Sequence, residues 1–164
     1  MAIAEALLPE FDHEMVTTRK LLERVPEDKF AWQPHVKSMT LGDLATHVAN
    51  IVWWGEVTLD KPEYNAEGQA RLPAAASRAD LLATFDRNVA TTRRLLTEKS
   101  DAELMAPWSL KNGKHTFFTM PKAAVWRSFV MNHLVHHRAQ LSVYLRMNEV
   151  PVPSIYGPSA DEAS

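Results

Sequence analysis

Residues 60–76 read DKPEYNAEGQARLPAAA, a stretch with two prolines and a glycine set between two segments of helical period. It is too long for the tight turn that joins simple antiparallel helices. A link of this kind suits a crossover, which leaves the helices on either side running in the same direction, as in bundle variants with long connections. Upstream of it, TLGD (residues 40–43) offers Thr40 as N-cap with Asp43 three positions later, a capping-box-like pair. The helix beginning there carries an inward stripe of Leu44, His47, Ile51, Trp54 and Thr58. Downstream, SRAD (residues 77–80) repeats the start signal, and Leu81, Phe85, Val89, Thr92 and Leu96 form the apolar face of a third helix.

Two more helices complete the set. The first covers roughly residues 3–25, with Phe11, Met15, Thr18, Leu22 and Val25 at three- and four-residue intervals, and Pro26 ends it. Pro9 is expected to confine its regular part to the residues beyond the proline. The fourth starts near Pro121, favoured in a first helical turn, and runs to about Arg146 or Asn148. Between helices three and four, WSLKNGKHTFF (residues 108–118) holds Asn112-Gly113, the preferred type I′ pair, which predicts a short β-hairpin or tight loop. The proline-bearing tail from about 149, EVPVPSIYGPSADEAS, should lie extended on the helices or fray at its end. These readings add up to an all-α fold: one four-helix-bundle domain over residues 1–164.

Composition narrows the function. A chain of 164 residues fits one domain, and 46% hydrophobic with 23% charged residues is ordinary for a globular protein. A formal charge of −2 gives no electrostatic reason to expect nucleic acid or an anionic membrane as partner. The opening MAIAEALLPEFDHEM lacks the features of a signal peptide, and the purely apolar runs are only a few residues long, so a cytoplasmic location is expected. With no cysteine, the chain has no disulfide, thiolate ligand or cysteine nucleophile of its own. If thiol chemistry happens here, the sulfur arrives with a substrate.

The fourth helix poses the central question. NHLVHHRAQLSVYLR (residues 132–146) places three histidines within five positions. With His133 at zero on a wheel of about 100° per residue, His137 falls at about 40°, Trp126 and Tyr144 at about 20°, and Phe129 at about −40°. His136 lies at the rim, near −60°, and Arg138 outside the face at about 140°. Buried imidazole costs desolvation unless its nitrogens find partners, so one such histidine is ordinary and two at i, i+4 are not. His47 adds a third, within the stripe of the second helix. Three inward imidazoles from two helices can meet at one cation, and such a set leaves an open position for water or substrate. Neutral imidazole suits Zn²⁺, Ni²⁺, Cu²⁺ or Fe²⁺, so the residues do not choose the metal.

The other histidines have plainer readings. His13, His35 and His115 belong at the surface. His136 is either a rim residue bonded to a neighbouring element or a proton carrier beside the site, which makes it the one catalytic candidate. Asn50 and Gln140 are polar groups one turn from His47 and His137, and Trp53, Trp54, Trp126 and Tyr144 could wall a substrate pocket, although aromatic residues at helical spacing more often serve as core. Rival constellations fail: EFDH (residues 10–13) is the lone Glu-x-x-His pair where a di-iron bundle needs two, and HExxH is absent because Leu134 follows His133.

The run from His133 to Leu141, followed by YLR and VPVPSIYGPSADE, together with MTLGDLATHVANI (residues 39–51), resembles the DinB/YfiT-like (damage-inducible) family over nearly the whole chain. The resemblance implies an up-down-down-up four-helix bundle and a metal triad that maps onto His47, His133 and His137. It implies zinc or nickel as the metal and frequent homodimers. It also implies a thiol-dependent S-transferase or isomerase chemistry that uses bacillithiol, mycothiol or glutathione. The expectation is a metal-dependent enzyme on a small-molecule substrate, of thiol-transferase or hydrolase type. Its rival is a non-catalytic metal-binding stress-response protein.

Overall fold

The computed structural model describes residues 2–70 and 72–162. Helix α1 (Ile3–Leu22) is followed by a single 3₁₀ turn (Glu27–Lys29), α2 (Leu41–Ile51), α3 (Trp53–Asp60), strand β1 (Glu63–Asn65) and α4 (Arg78–Glu98). Then come α5 (Asp101–Leu104), β2 (Pro107–Asn112), β3 (His115–Pro121) and α6 (Lys122–Val125). A π-helical segment (Trp126–Met131) leads without interruption into α7 (Asn132–Met147).

The chain is therefore mixed α/β, which corrects the all-α four-helix expectation. The sheet has the order β1-β2-β3, with β1 parallel and β3 antiparallel to β2. The β2–β3 hairpin agrees with the Asn-Gly signal, but its two-residue loop is Gly113-Lys114, because Asn112 pairs with His115. Gly113 has φ +58°, the glycine position of a type II′ loop rather than type I′. Strand β1 comes from the crossover: Glu63, Tyr64 and Asn65 lie opposite Ser109, Leu110 and Lys111. Three residues are too few to show a period. What holds them is tertiary: the Asn65 carboxamide oxygen accepts from Gly113 N at 2.9 Å, and Ala66 N donates to Lys111 O at 2.8 Å. The sheet covers a small apolar cluster of Val57, Trp108 and Val125, ringed by Trp53, Trp54, Tyr64, Phe118 and Phe129.

Both predicted caps form. Thr40 Oγ1 accepts from Asp43 N at 3.1 Å and Ser77 Oγ from Asp80 N at 3.0 Å. Pro9 lies inside α1 without ending it, because it faces solvent, where water can bond the carbonyl that proline leaves unpaired. The predicted second helix is broken at Val52 into α2 and α3. Side chains of α4 bind the carbonyls at that break: Asn88 Nδ2 donates to Ala49 O and Thr92 Oγ1 to Val52 O, each at 3.0 Å. Gly55 sets how closely α3 approaches α4, since a Cβ there would stand 2.5 Å from Thr92 Cγ2 and 3.1 Å from Trp126.

Helix α7 buries a different face from the one its wheel suggests. Its core stripe is Leu134, Arg138, Leu141 and Leu145, with the histidines half-buried or exposed beside it. The π-helical segment explains the discrepancy. It holds about one residue more than the same length of α-helix, which turns Trp126, at its start, by roughly 100° relative to His133 and leaves Phe129, midway along it, beside the His133 ring. Arg138, placed outside the apolar face by the wheel, is only 1% exposed. Its Nη1 pairs with Glu14 Oε2 of α1 at 2.5 Å and donates to Thr18 Oγ1 at 3.2 Å. Its Nη2 donates to the Tyr156 hydroxyl at 2.6 Å, which in turn donates to Glu14 Oε1 at 3.0 Å. The tail thus docks on the ion pair between α1 and α7.

This packing has two consequences for stability. Gly55→Ala should lower stability by about 1–3 kcal/mol in urea titration, because overpacking against Thr92 outweighs the better helix propensity of alanine. Glu14→Ala leaves a buried guanidinium without its counter-charge and should cost about 3–5 kcal/mol by the same measurement.

Candidate metal centre

Helix α2 packs on α7 within the main core, and that contact brings His47 to the histidines of α7. His47 Nε2 stands 3.2 Å from His133 Nε2, and one nitrogen from each of His47, His133 and His137 lies within 4.8 Å of the others. A tetrahedral ion with Zn–N bonds of about 2.0–2.1 Å holds its nitrogens roughly 3.3–3.4 Å apart. The first pair sits close to that spacing. All three side chains are half-buried, so the cluster is at the edge of the core and not within it.

The protonation states suit a ligand set. Burial, reinforced by the neighbouring His137 and His136, pushes the His133 imidazole down to about 4. Burial also lowers His137, against the opposing effect of its hydrogen bond to Gln140. Each therefore presents a lone pair at neutral pH. With Gln140 Oε1 as acceptor at 2.7 Å, His137 carries its proton on Nδ1 and turns a lone pair outward on Nε2. His133 Nδ1, buried, has no hydrogen-bond partner among the described residues, and its ring packs on Phe129 with centroids 5.6 Å apart.

A cavity of about 240 Å³ opens onto the triad at His47. Its walls include Trp53 and Trp54, tilted to each other with centroids 5.3 Å apart, and Tyr64, which meets both edge-on at 5.7 and 4.8 Å. Asn50 lines the same cavity and donates through Nδ2 to Thr46 O at 3.0 Å. Of the sequence candidates, Asn50 and Trp54 are therefore at the cavity, and Gln140 is beside the triad in contact with His137. Trp126 and Tyr144 stand elsewhere. Trp126 is fully buried against Phe11 at 5.4 Å, and Tyr144 packs edge-on to Trp32 at 5.4 Å. His136 is exposed, with its ring 4.8 Å from that of His137. His13, His35 and His115 are exposed. Sequence reasoning misses Tyr64, whose one signal is a lone aromatic within the polar crossover, flanked by Glu63 and Asn65.

The architecture and this cluster define a class: a helical domain with a small covering sheet and three imidazoles gathered beside an aromatic cleft. The DinB family model matches residues 3–164, and the chain belongs to the DinB family. Among solved structures, a DinB-like protein from Bacillus cereus is 21% identical with a TM-score of 0.70, covering 93% of this chain and 97% of that one. A DinB-like protein from Bacillus subtilis is 16% identical with a TM-score of 0.67, covering 97% and 99%. No curated protein matches the chain. Among the described residues no helix is long and apolar enough to cross a membrane.

The His133 shift fixes a pH dependence. Its folded value near 4 lies below the ordinary 6.5, so between those values the unfolded chain holds more protons than the folded one. Stability of the metal-free protein should therefore fall as pH drops from 6.5 toward 4. Thermal melts at pH 7.5 and pH 5 measure this, and His133→Leu should flatten the difference.

Proposed function

We propose that this DinB-family chain is a metal-dependent enzyme acting on a small molecule, with His47, His133 and His137 holding a divalent ion, zinc or nickel. The observation that carries the reading is the convergence of three imidazoles, two of them with depressed proton affinity, at the mouth of an aromatic cavity. Held by His47, His133 and His137, a divalent ion would supply Lewis acidity, favouring the deprotonated form of water or a thiol near neutral pH. The reaction is of the thiol-dependent S-transferase or the hydrolase type, and the absence of cysteine means that any reacting thiol is a small-molecule cofactor.

The chain's own groups divide the remaining work. Gln140 fixes the His137 ring and keeps its proton on Nδ1. Trp53, Trp54 and Tyr64 shelter one side of the reacting groups from water and offer flat apolar surface to the substrate. In this reading His136 carries a proton between the site and solvent, which its exposure and its edge-on contact with His137 support. We also assign a homodimer, supported by the exposed apolar side chains of α7, where Val143 is 56% and Met147 54% exposed.

Metal analysis of tag-free protein should give one ion per chain, and His47→Ala should remove it. Sub-stoichiometric metal unchanged by that substitution ends the reading. Gln140→Ala should weaken metal affinity by about 10–100-fold while the fold persists. A chelator should lower the melting temperature at pH 7.5 by mass action. Conjugation of a model electrophile with a panel of low-molecular-weight thiols should be abolished by His137→Ala. One ion per chain with no turnover of any thiol or ester would point instead to a non-catalytic metal carrier.

A further inference from the structure

The cleft does not end at the aromatic wall. The cavity beside His47 shares Asn50, Trp53 and Leu72 with a second, more open one of about 450 Å³, so the two form one groove along α2 and α3. In the second cavity Glu56 of α3 and Arg87 of α4 line the same space. They carry opposite charges, yet no ion pair within 4 Å joins them among the described residues. The hydrogen bond found for the Arg87 guanidinium is long, 3.4 Å to Thr84 Oγ1. Further along this helix Arg93 takes Asp12 and Arg94 takes Glu98, whereas Arg78, like Arg87, has no ion pair among the described residues.

Two opposite charges that line one concavity without pairing are complementary to a ligand that brings both charges itself. A monoanion there would meet Arg87 but face Glu56, and a monocation the reverse. An α-amino acid head, with its ammonium and carboxylate on one carbon, answers both at once, and the guanidinium suits a carboxylate geometrically. From that end the groove leads past Asn50 and Trp53 to the triad.

We propose that the groove binds a free α-amino acid head between Glu56 and Arg87, with the side chain of that ligand lying along Trp53 and its reactive part reaching the histidines. The substrate class of the site is thus an α-amino acid derivative modified on its side chain. This rests on the reading of the triad as the reactive end, but its binding test does not require turnover.

Three matched compounds isolate the charges: L-homophenylalanine, 4-phenylbutyrate, which lacks the ammonium, and 3-phenylpropylamine, which lacks the carboxylate. Calorimetry on the full chain as purified, and again after chelation, should find the zwitterion bound at least about tenfold more tightly than either analogue. Arg87→Gln should erase its advantage over the amine, and Glu56→Gln its advantage over the acid. Arg94→Gln, which lines neither cavity, should change none of the three. A single-charge compound that binds as well as the zwitterion, no binding by any of them, or a preference that survives both substitutions overturns the proposal. If the preference persists after metal binding has been disproved, the groove stands and the metalloenzyme reading falls. If metal binds and the preference is absent, the reverse holds.

Discussion

Helix α7 has to satisfy two neighbours with adjacent faces. Toward α1 and the core it presents Leu134, Arg138, Leu141 and Leu145, and the guanidinium among those leucines needs Glu14, Thr18 and Tyr156 around it. Toward α2 it presents His133 and His137, which need room for a polar cluster and not a close apolar seam. A buried charge tolerates little displacement, because its hydrogen bonds depend steeply on distance and angle. Arg138 follows His137 directly in sequence, so the packing that fixes one fixes the rotation of the other. The ion pair therefore sets the angle at which the imidazoles meet His47, and the cleft, the sheet and the tail are arranged around a helix held in that one orientation.

Local signals in this chain are readily legible, and long-range ones are not. Thr40 and Ser77 announce helix starts because capping is chemistry between residues three apart. Asn112-Gly113 announces a hairpin for the same reason, although the turn settles one residue further on than the dipeptide suggests. Strand β1 gives no such notice. Glu63, Tyr64 and Asn65 become a strand because β2 is there to pair with, a partner more than forty residues away. The sheet is what makes the molecule α/β, and half of its pairing is invisible to any local rule.

The histidine site is legible by coincidence of pattern: i, i+4 spacing on one helix and a lone imidazole in the apolar stripe of another. Its depth is not. A wheel of constant step assumes an unbroken α-helix, and the π-helical segment between Trp126 and Met131 violates that assumption just upstream of His133. On such a wheel Trp126 and Phe129 share one face with the histidines, whereas the tryptophan belongs to the core beside Phe11. Arg138 reads as solvated because arginine almost never goes fully inside unless paired, and Glu14, its partner, lies far away in sequence.

That partnership also joins the two ends of the described chain. Glu14 sits in the first helix, Tyr156 in the last segment, and 142 residues separate them, yet one hydrogen bond and a shared guanidinium make them neighbours. Terminal segments are ordinarily the first parts of a domain to fray, each independently of the other. Here loosening at either end withdraws a partner from the same buried cation, so the fraying of one extremity weakens the hold on the other, and this part of the molecule behaves more as a closed ring than as a thread.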